Sequence, residues 1–310
     1  MVSRRQILFA LACAPFQAET GKFEITLLGT GNPRPEMDRF GPSILIEAGP
    51  QRLLVDCGRG ATQRLFEVDG ESHVLTSVDR VLFTHLHSDH VTGFPDLWLT
   101  GWLFGRKNAM RVWGPRGTAS MIHNVERAYA FDVHTRRDLD EHLPAEGARI
   151  EVHDIAEGVI PNVAEGLKVT AFLVDHGPVK PALGYRVDYA GYSVAFSGDT
   201  RPSDNLVKYA QGVDVLIHEV LAPEVERRRA AMTDPAAIER VIAHHTTAEE
   251  AGKLFARIRP KLAVFSHIVP SVATESDVLP DARKYYDGRM VFGADRMTIR
   301  IGAEIEVKYP

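Results

Sequence analysis

The sequence predicts an α/β fold, and the evidence lies in how its short apolar runs end. Val81-Leu82-Phe83, Asp214 to Ile217 and Leu262 to Phe265 read as strands, and each runs directly into a histidine. Other stretches read as an amphipathic helix with its own start and stop signals. Thr247 with Glu250 makes a capping box, Ala251, Leu254, Phe255 and Ile258 share one face, and Pro260 ends the run. No Pro/Gly/Ser-rich linker divides residues 21–310, so these are read as one catalytic domain behind a separate segment at 1–20.

Taken in chain order, that first segment carries Ser3-Arg4-Arg5, a short apolar run from Ile7 to Ala14, and Pro15. It resembles a twin-arginine export signal with Ala12-Cys13-Ala14 as its cleavage site, which leans towards a periplasmic location, with the cytoplasm as the alternative. The run is far too short to span a bilayer. Ser43 to Glu47 and Arg52 to Asp56 form a hairpin around Gly49-Pro50. Lys168 to Val174 leads into His176. Tyr185 to Tyr189 and Ser193 to Phe196 alternate around Ala190-Gly191 and lead into Asp199.

Composition excludes little. Among 310 residues, 45% are hydrophobic and 25% charged, the balance of an ordinary soluble domain. Two cysteines, Cys13 and Cys57, give no disulfide framework. The net charge of −5 supplies no whole-protein field for nucleic acid.

The chemistry is concentrated in Thr84-His85-Leu86-His87-Ser88-Asp89-His90. Three imidazoles and a carboxylate at a strand end suit zinc, iron or manganese. This His-x-His-x-Asp-His run resembles the pattern of the metallo-β-lactamase superfamily. The resemblance implies a four-layer αββα sandwich and two divalent ions, zinc first, with Mn2+ or Fe2+ as alternatives. It further implies that His85, His87 and His176 hold one ion, that Asp89, His90 and His267 hold the other, and that Asp199 bridges them. Asp89 would also orient a hydroxide nucleophile made at neutral pH.

His244-His245-Thr246-Thr247-Ala248 resembles the ribonuclease Z branch, which implies that His245 is a general acid paired with Glu219. A buried carboxylate there is expected to fix the tautomer of His245 and raise its pKa. That branch usually carries a long tRNA-gripping arm between the third-ligand histidine and the bridging aspartate. Here only 23 positions (199 − 176) separate His176 from Asp199.

His176-Gly177-Pro178-Val179-Lys180-Pro181 and Trp98-Leu99-Thr100-Gly101-Trp102 resemble arylsulfatase-like members instead. Phe94, Trp98, Trp102 and Phe104 are then candidates to wall an aryl pocket, with at least two of them expected to be core residues of the following helix instead, and Arg201 is expected to bind an anion or pair within its loop. The leading expectation is a hydrolase of small aryl sulfates or phosphodiesters. A tRNA 3′-processing endonuclease without the arm is the alternative, and a non-catalytic metal scaffold the further one. Nucleic acid is not the expected partner, no stable membrane span is expected, and the size leaves room for a homodimer.

Overall fold

The computed structural model describes residues 21–70, 72–229 and 234–310. The expected export segment lies outside the described residues. Strands β1 (Phe23–Gly29), β2 (Ser43–Ala48), β3 (Gln51–Val55), β4 (Arg80–Leu82), β5 (Met110–Gly114) and β6 (Ile150–Asp154) build most of one sheet. Strands β7 (Gly158–Ile160), β8 (Leu167–His176), β9 (Val179–Tyr189), β10 (Tyr192–Phe196), β11 (Val215–Leu221), β12 (Leu262–Val269) and β13 (Met290–Phe292) build the second. Strands β14 (Thr298–Ile301) and β15 (Ile305–Lys308) return to the first sheet beside β1.

Three apolar clusters define the layers. Ile25, Ile46, Leu53 and Val55 of the first sheet meet Val169, Tyr185, Val187, Val194 and Ile217 of the second in a central core. Helices Ala61–Asp69, Phe94–Leu103 and Thr118–Ala128 cover the outer face of the first sheet. Helices Asp204–Ala210, Ala248–Ile258 and Glu275–Arg283 cover that of the second. The result is the four-layer αββα sandwich that the resemblance implies. Strand β11 shows why: every residue of it is buried, Val215 and Ile217 in the central core, Leu216 and Val220 under the helices. A strand covered on both faces reads as a continuous apolar run.

The expected capping box is present, with Thr247 Oγ1 accepting from Glu250 N at 3.3 Å and Glu250 Oε2 accepting from Thr247 N at 2.9 Å. Strand β9 begins at Val179 rather than at the expected Tyr185. Its first half pairs only with β8, because β10 joins it from Tyr185 onward. Pro181 therefore sits where one side of the strand is open, and its missing N–H breaks no ladder there. The interval from His176 to Asp199 is filled by β9, the Ala190-Gly191 turn and β10, so no arm projects from it. No helix among the described residues is long and apolar enough to cross a membrane.

Strands β3, β4 and β5 run parallel to one another, as do β10, β11 and β12. Parallel strands end together, so the loops after β4, β10 and β12 open on the same edge of the sandwich. That edge carries the histidines.

Candidate metal centre

The loop after β4 begins at Thr84, which is held by the Asp56 carboxylate. Asp56 Oδ1 accepts from Thr84 N, and Oδ2 from Thr84 Oγ1, both at 2.8 Å. Asp56 Oδ2 also lies 2.8 Å from His90 Nδ1, which turns the other ring nitrogen towards the site. Asp56 itself adopts φ 60°, a left-handed conformation retained for that grip. His176 is oriented in the same way, with Nδ1 3.0 Å from the carbonyl oxygen of His244. His267 occupies a bulge: Glu219 pairs with Ser266 and Val220 with Ile268, leaving His267 out of the ladder at φ 42°. A bulge re-aims one side chain without ending the strand.

All seven expected ligands converge. Ligand atoms of His85, His87, His176 and Asp199 lie within 4.8 Å of one another, as do those of Asp89, His90 and His267. Asp199 stands between the two groups. Its Oδ2 is 3.8 Å from His85 Nε2, 3.7 Å from His176 Nε2 and 3.3 Å from His267 Nε2, and its Oδ1 is 3.4 Å from His90 Nε2. His87 Nδ1 and His176 Nε2 approach to 3.3 Å.

This donor set fits divalent cations. His85 Nε2, His90 Nε2 and Asp199 Oδ1 are buried and have no hydrogen-bond partner. Buried polar atoms without partners are rare and call for an explanation, of which an ion is one. Burial holds the imidazole of His85 well below its usual pKa and brings that of His176 to about 4, leaving both neutral, the form that binds a metal. At His90 burial also opposes charge, yet Asp199, Asp56 and Asp89 outweigh it and raise the pKa well above the usual value. The pocket is thus a place of negative potential that attracts positive charge.

His245 and Glu219 stand beside this cage. His245 Nδ1 is 2.8 Å from Glu219 Oε2, and Glu219 Oε1 accepts from Thr200 N at 2.6 Å. The His245 ring stacks at 5.7 Å on that of His267. The expected rise in the His245 pKa is not what this environment produces. Burial dominates and brings it down to about 4, while burial and then Asp199 push the Glu219 carboxyl up. Desolvation penalises both charged forms, so the two groups share a proton rather than form an ion pair. A cavity of about 360 Å³ joins His87, Asp89, Asp199, His244, His245 and His267 to a loop at Asn32-Pro33-Arg34.

Four expected substrate residues are elsewhere. Phe94, Trp98 and Trp102 are each only 1% exposed and do not line this cavity. The indole N–H of Trp98 donates to Ala148 O at 3.0 Å, and that of Trp102 to Pro144 O at 2.9 Å. These bonds tie the helix to the segment 144–148, and the hollow that Trp98 borders, beside Ala130, Val133 and Ala145, shares no residue with the metal cavity. Trp98→Ala should accordingly lower stability by about 3–5 kcal/mol. Denaturant unfolding would read that loss, and KM for a small ester should stay unchanged. Arg201 Nη2 is paired with both oxygens of Asp175 at 2.8 and 2.7 Å, so its guanidinium braces the loop.

In the sequence Asp56 stands only as the last residue of an expected strand, Arg52 to Asp56. The usable signal was a carboxylate at the end of the strand beside β4. Asp56→Asn should weaken metal affinity by about 10–100-fold, the usual loss when a metal histidine loses its carboxylate support. Competition against a chelating dye would measure it.

Residues 51–268, more than half of the chain, match the Beta-lactamase superfamily domain. The chain belongs to the metallo-β-lactamase superfamily. Within it, ribonuclease Z of Mycobacterium marinum is 34% identical over 289 residues, covering 90% of this chain and 99% of its own length. Among solved structures, the metallo-β-lactamase fold protein YhfI from Bacillus subtilis superposes with a TM-score of 0.66 at 17% identity, covering 90% of this chain and 99% of its own. The short form of human tRNase Z gives 0.63 at 22% identity, covering 89% and 98%. These two share the fold.

The name of the Mycobacterium marinum relative, ribonuclease Z, overturns the expectation that set nucleic acid aside as a partner. That expectation rested on the net charge of the whole chain. Phosphates are bound by local groups, and a sum over the surface does not report them.

Proposed function

We propose that this protein is a metal-dependent phosphodiesterase of the ribonuclease Z type, processing the 3′ end of precursor tRNA without a protruding arm. The observation that carries the reading is one open cavity that exposes His87, Asp89, Asp199 and His267 of the cage together with His245, whose Nδ1 lies 2.8 Å from Glu219 behind it. The full-length similarity to ribonuclease Z supports it. The aryl sulfate reading loses its support once Phe94, Trp98 and Trp102 are buried.

In this reading His85, His87, His176 and Asp199 hold one divalent ion, and Asp89, His90, His267 and Asp199 a second, with zinc the first choice for such a donor set. When bound, such ions lower the pKa of a water to about 7 and neutralise charge on a phosphodiester. The remaining work belongs to the chain. Asp89 orients the attacking oxygen from its place 3.3 Å from His267. His245 points its free ring nitrogen at the leaving alkoxide oxygen and gives it the proton carried there, while the proton of the Glu219 carboxyl moves to Nδ1 and keeps the imidazole neutral. Glu219 holds the opposite nitrogen and fixes the tautomer. A scaffold without activity would have no use for that pair.

The test is cleavage of a precursor tRNA with a 3′ trailer by the metal-replete protein, with product ends read by mass spectrometry. Release of the trailer as one piece is the expected result. Hydrolysis of aryl sulfate esters with no action on the precursor would overturn the reading.

A further inference from the structure

Two arginines lie at the loop that borders this cavity, Arg34 in its lining and Arg59 beside it. Arg34 lines the cavity and is exposed. Arg59 Nη2 donates to the backbone oxygen of Arg34 at 3.4 Å, which brings the second guanidinium beside the same loop. Neither makes an ion pair among the described residues. Several other surface arginines do, among them Arg136 with Glu141, Arg149 with Glu146, Arg227 with Glu239 and Arg201 with Asp175, so what sets Arg34 apart is its place in the cavity lining.

The loop that carries Arg34 is anchored. Asp295 accepts from Thr30 N at 2.9 Å and from Phe40 N at 2.8 Å, Gly31 N donates to Phe40 O at 2.8 Å, and Ser271 Oγ donates to Asn32 Oδ1 at 2.9 Å. Such a mount fixes the point of the backbone from which the cation is presented, and the exposed side chain still loses rotamer freedom when it binds. Glu226 also lines the cavity and would repel an anion from its own part of the wall.

We infer that Arg34 and Arg59 form a phosphate clamp for single-stranded RNA, holding a backbone phosphate of a nucleotide next to the one at the cage. The inference rests on the RNA-cleaving reading above. One cavity of about 360 Å³ touches both the cage and Arg34, a size within the range of sites that enclose a small organic group. A strand seated at the cage thus reaches Arg34 without any movement of the chain. Guanidinium groups suit this task because they bind phosphate through two parallel N–H bonds. With no arm between His176 and Asp199, grip on the substrate must come from the rim itself. Arg34 and Arg59 lie outside the cage and do not touch His245.

The test compares wild type with the double variant R34Q/R59Q in binding a fluorescein-labelled hexanucleotide RNA, followed by anisotropy over a series of salt concentrations. Loss of the clamp on its one phosphate should weaken binding by about tenfold or more and reduce the slope of log K against log salt by about 0.7, the value per phosphate for a single strand. R34K/R59K should recover part of the affinity, and thermal melting confirms that each variant is folded. An unchanged Kd and slope in folded R34Q/R59Q would overturn the clamp, as would wild type that does not bind the hexanucleotide. Arginine-dependent binding by a protein that leaves precursor tRNA uncut would instead refute the 3′-processing reading and leave the clamp standing.

Discussion

Asp199→Ala should empty the cage of at least one ion and lower kcat/KM by about 10³-fold or more, because the charge stabilisation supplied by such an ion is worth several kcal/mol. Asp199 is the carboxylate that stands within 4 Å of histidines from both halves of the site, His85 and His176 on one side, His90 and His267 on the other. Without it, rings as close as His85 and His90, 4.0 Å between centroids, face each other with no shared anion between them. Elemental analysis after metal-replete purification should give two ions per chain for wild type and one or none for the variant. Two ions retained in Asp199→Ala would end its role as the shared ligand. One ion or none in wild type would end the two-ion reading altogether.

The site was legible because its ligands sit at strand ends, where apolar runs point at them. Val81-Leu82-Phe83 leads to His85, and β12 leads to His267. The geometry that makes His267 usable was not legible: a bulge and a positive φ depend on how β12 registers against β11, which one strand does not encode. The same holds for β9, whose first residues pair because β8 is beside them and in spite of Pro181. Trp98 and Trp102 show a choice that the sequence leaves open. An aromatic on a helix after a metal motif serves a pocket or a core equally well in sequence, and only the position of the Ala145–Ala148 segment beneath their N–H groups decides. The direction of the His245 pKa was missed because a neighbouring carboxylate was weighed without the burial that both groups share.

His245→Ala should slow esters with poor leaving groups by about 10²–10⁴-fold, the usual worth of general acid catalysis, and nitrophenolate esters far less. The geometry separates this from a positioning role. One ring nitrogen is taken by Glu219 at 2.8 Å, so only the other is free for the leaving oxygen. The ring cannot drift, since it stacks against His267 and meets His176 edge-on at 5.1 Å between centroids. A nitrophenolate departs without a proton, whereas a ribose alkoxide needs one, so the loss should grow steadily with leaving-group pKa. Glu219→Gln should show the same trend with a smaller slope, because the amide still reaches Nδ1 but no longer shares a proton with it. Metal content should stay at the wild-type value in both variants, which removes ion loss as the explanation. Equal losses across the leaving-group series would mean that His245 holds the substrate and that the proton comes from solvent.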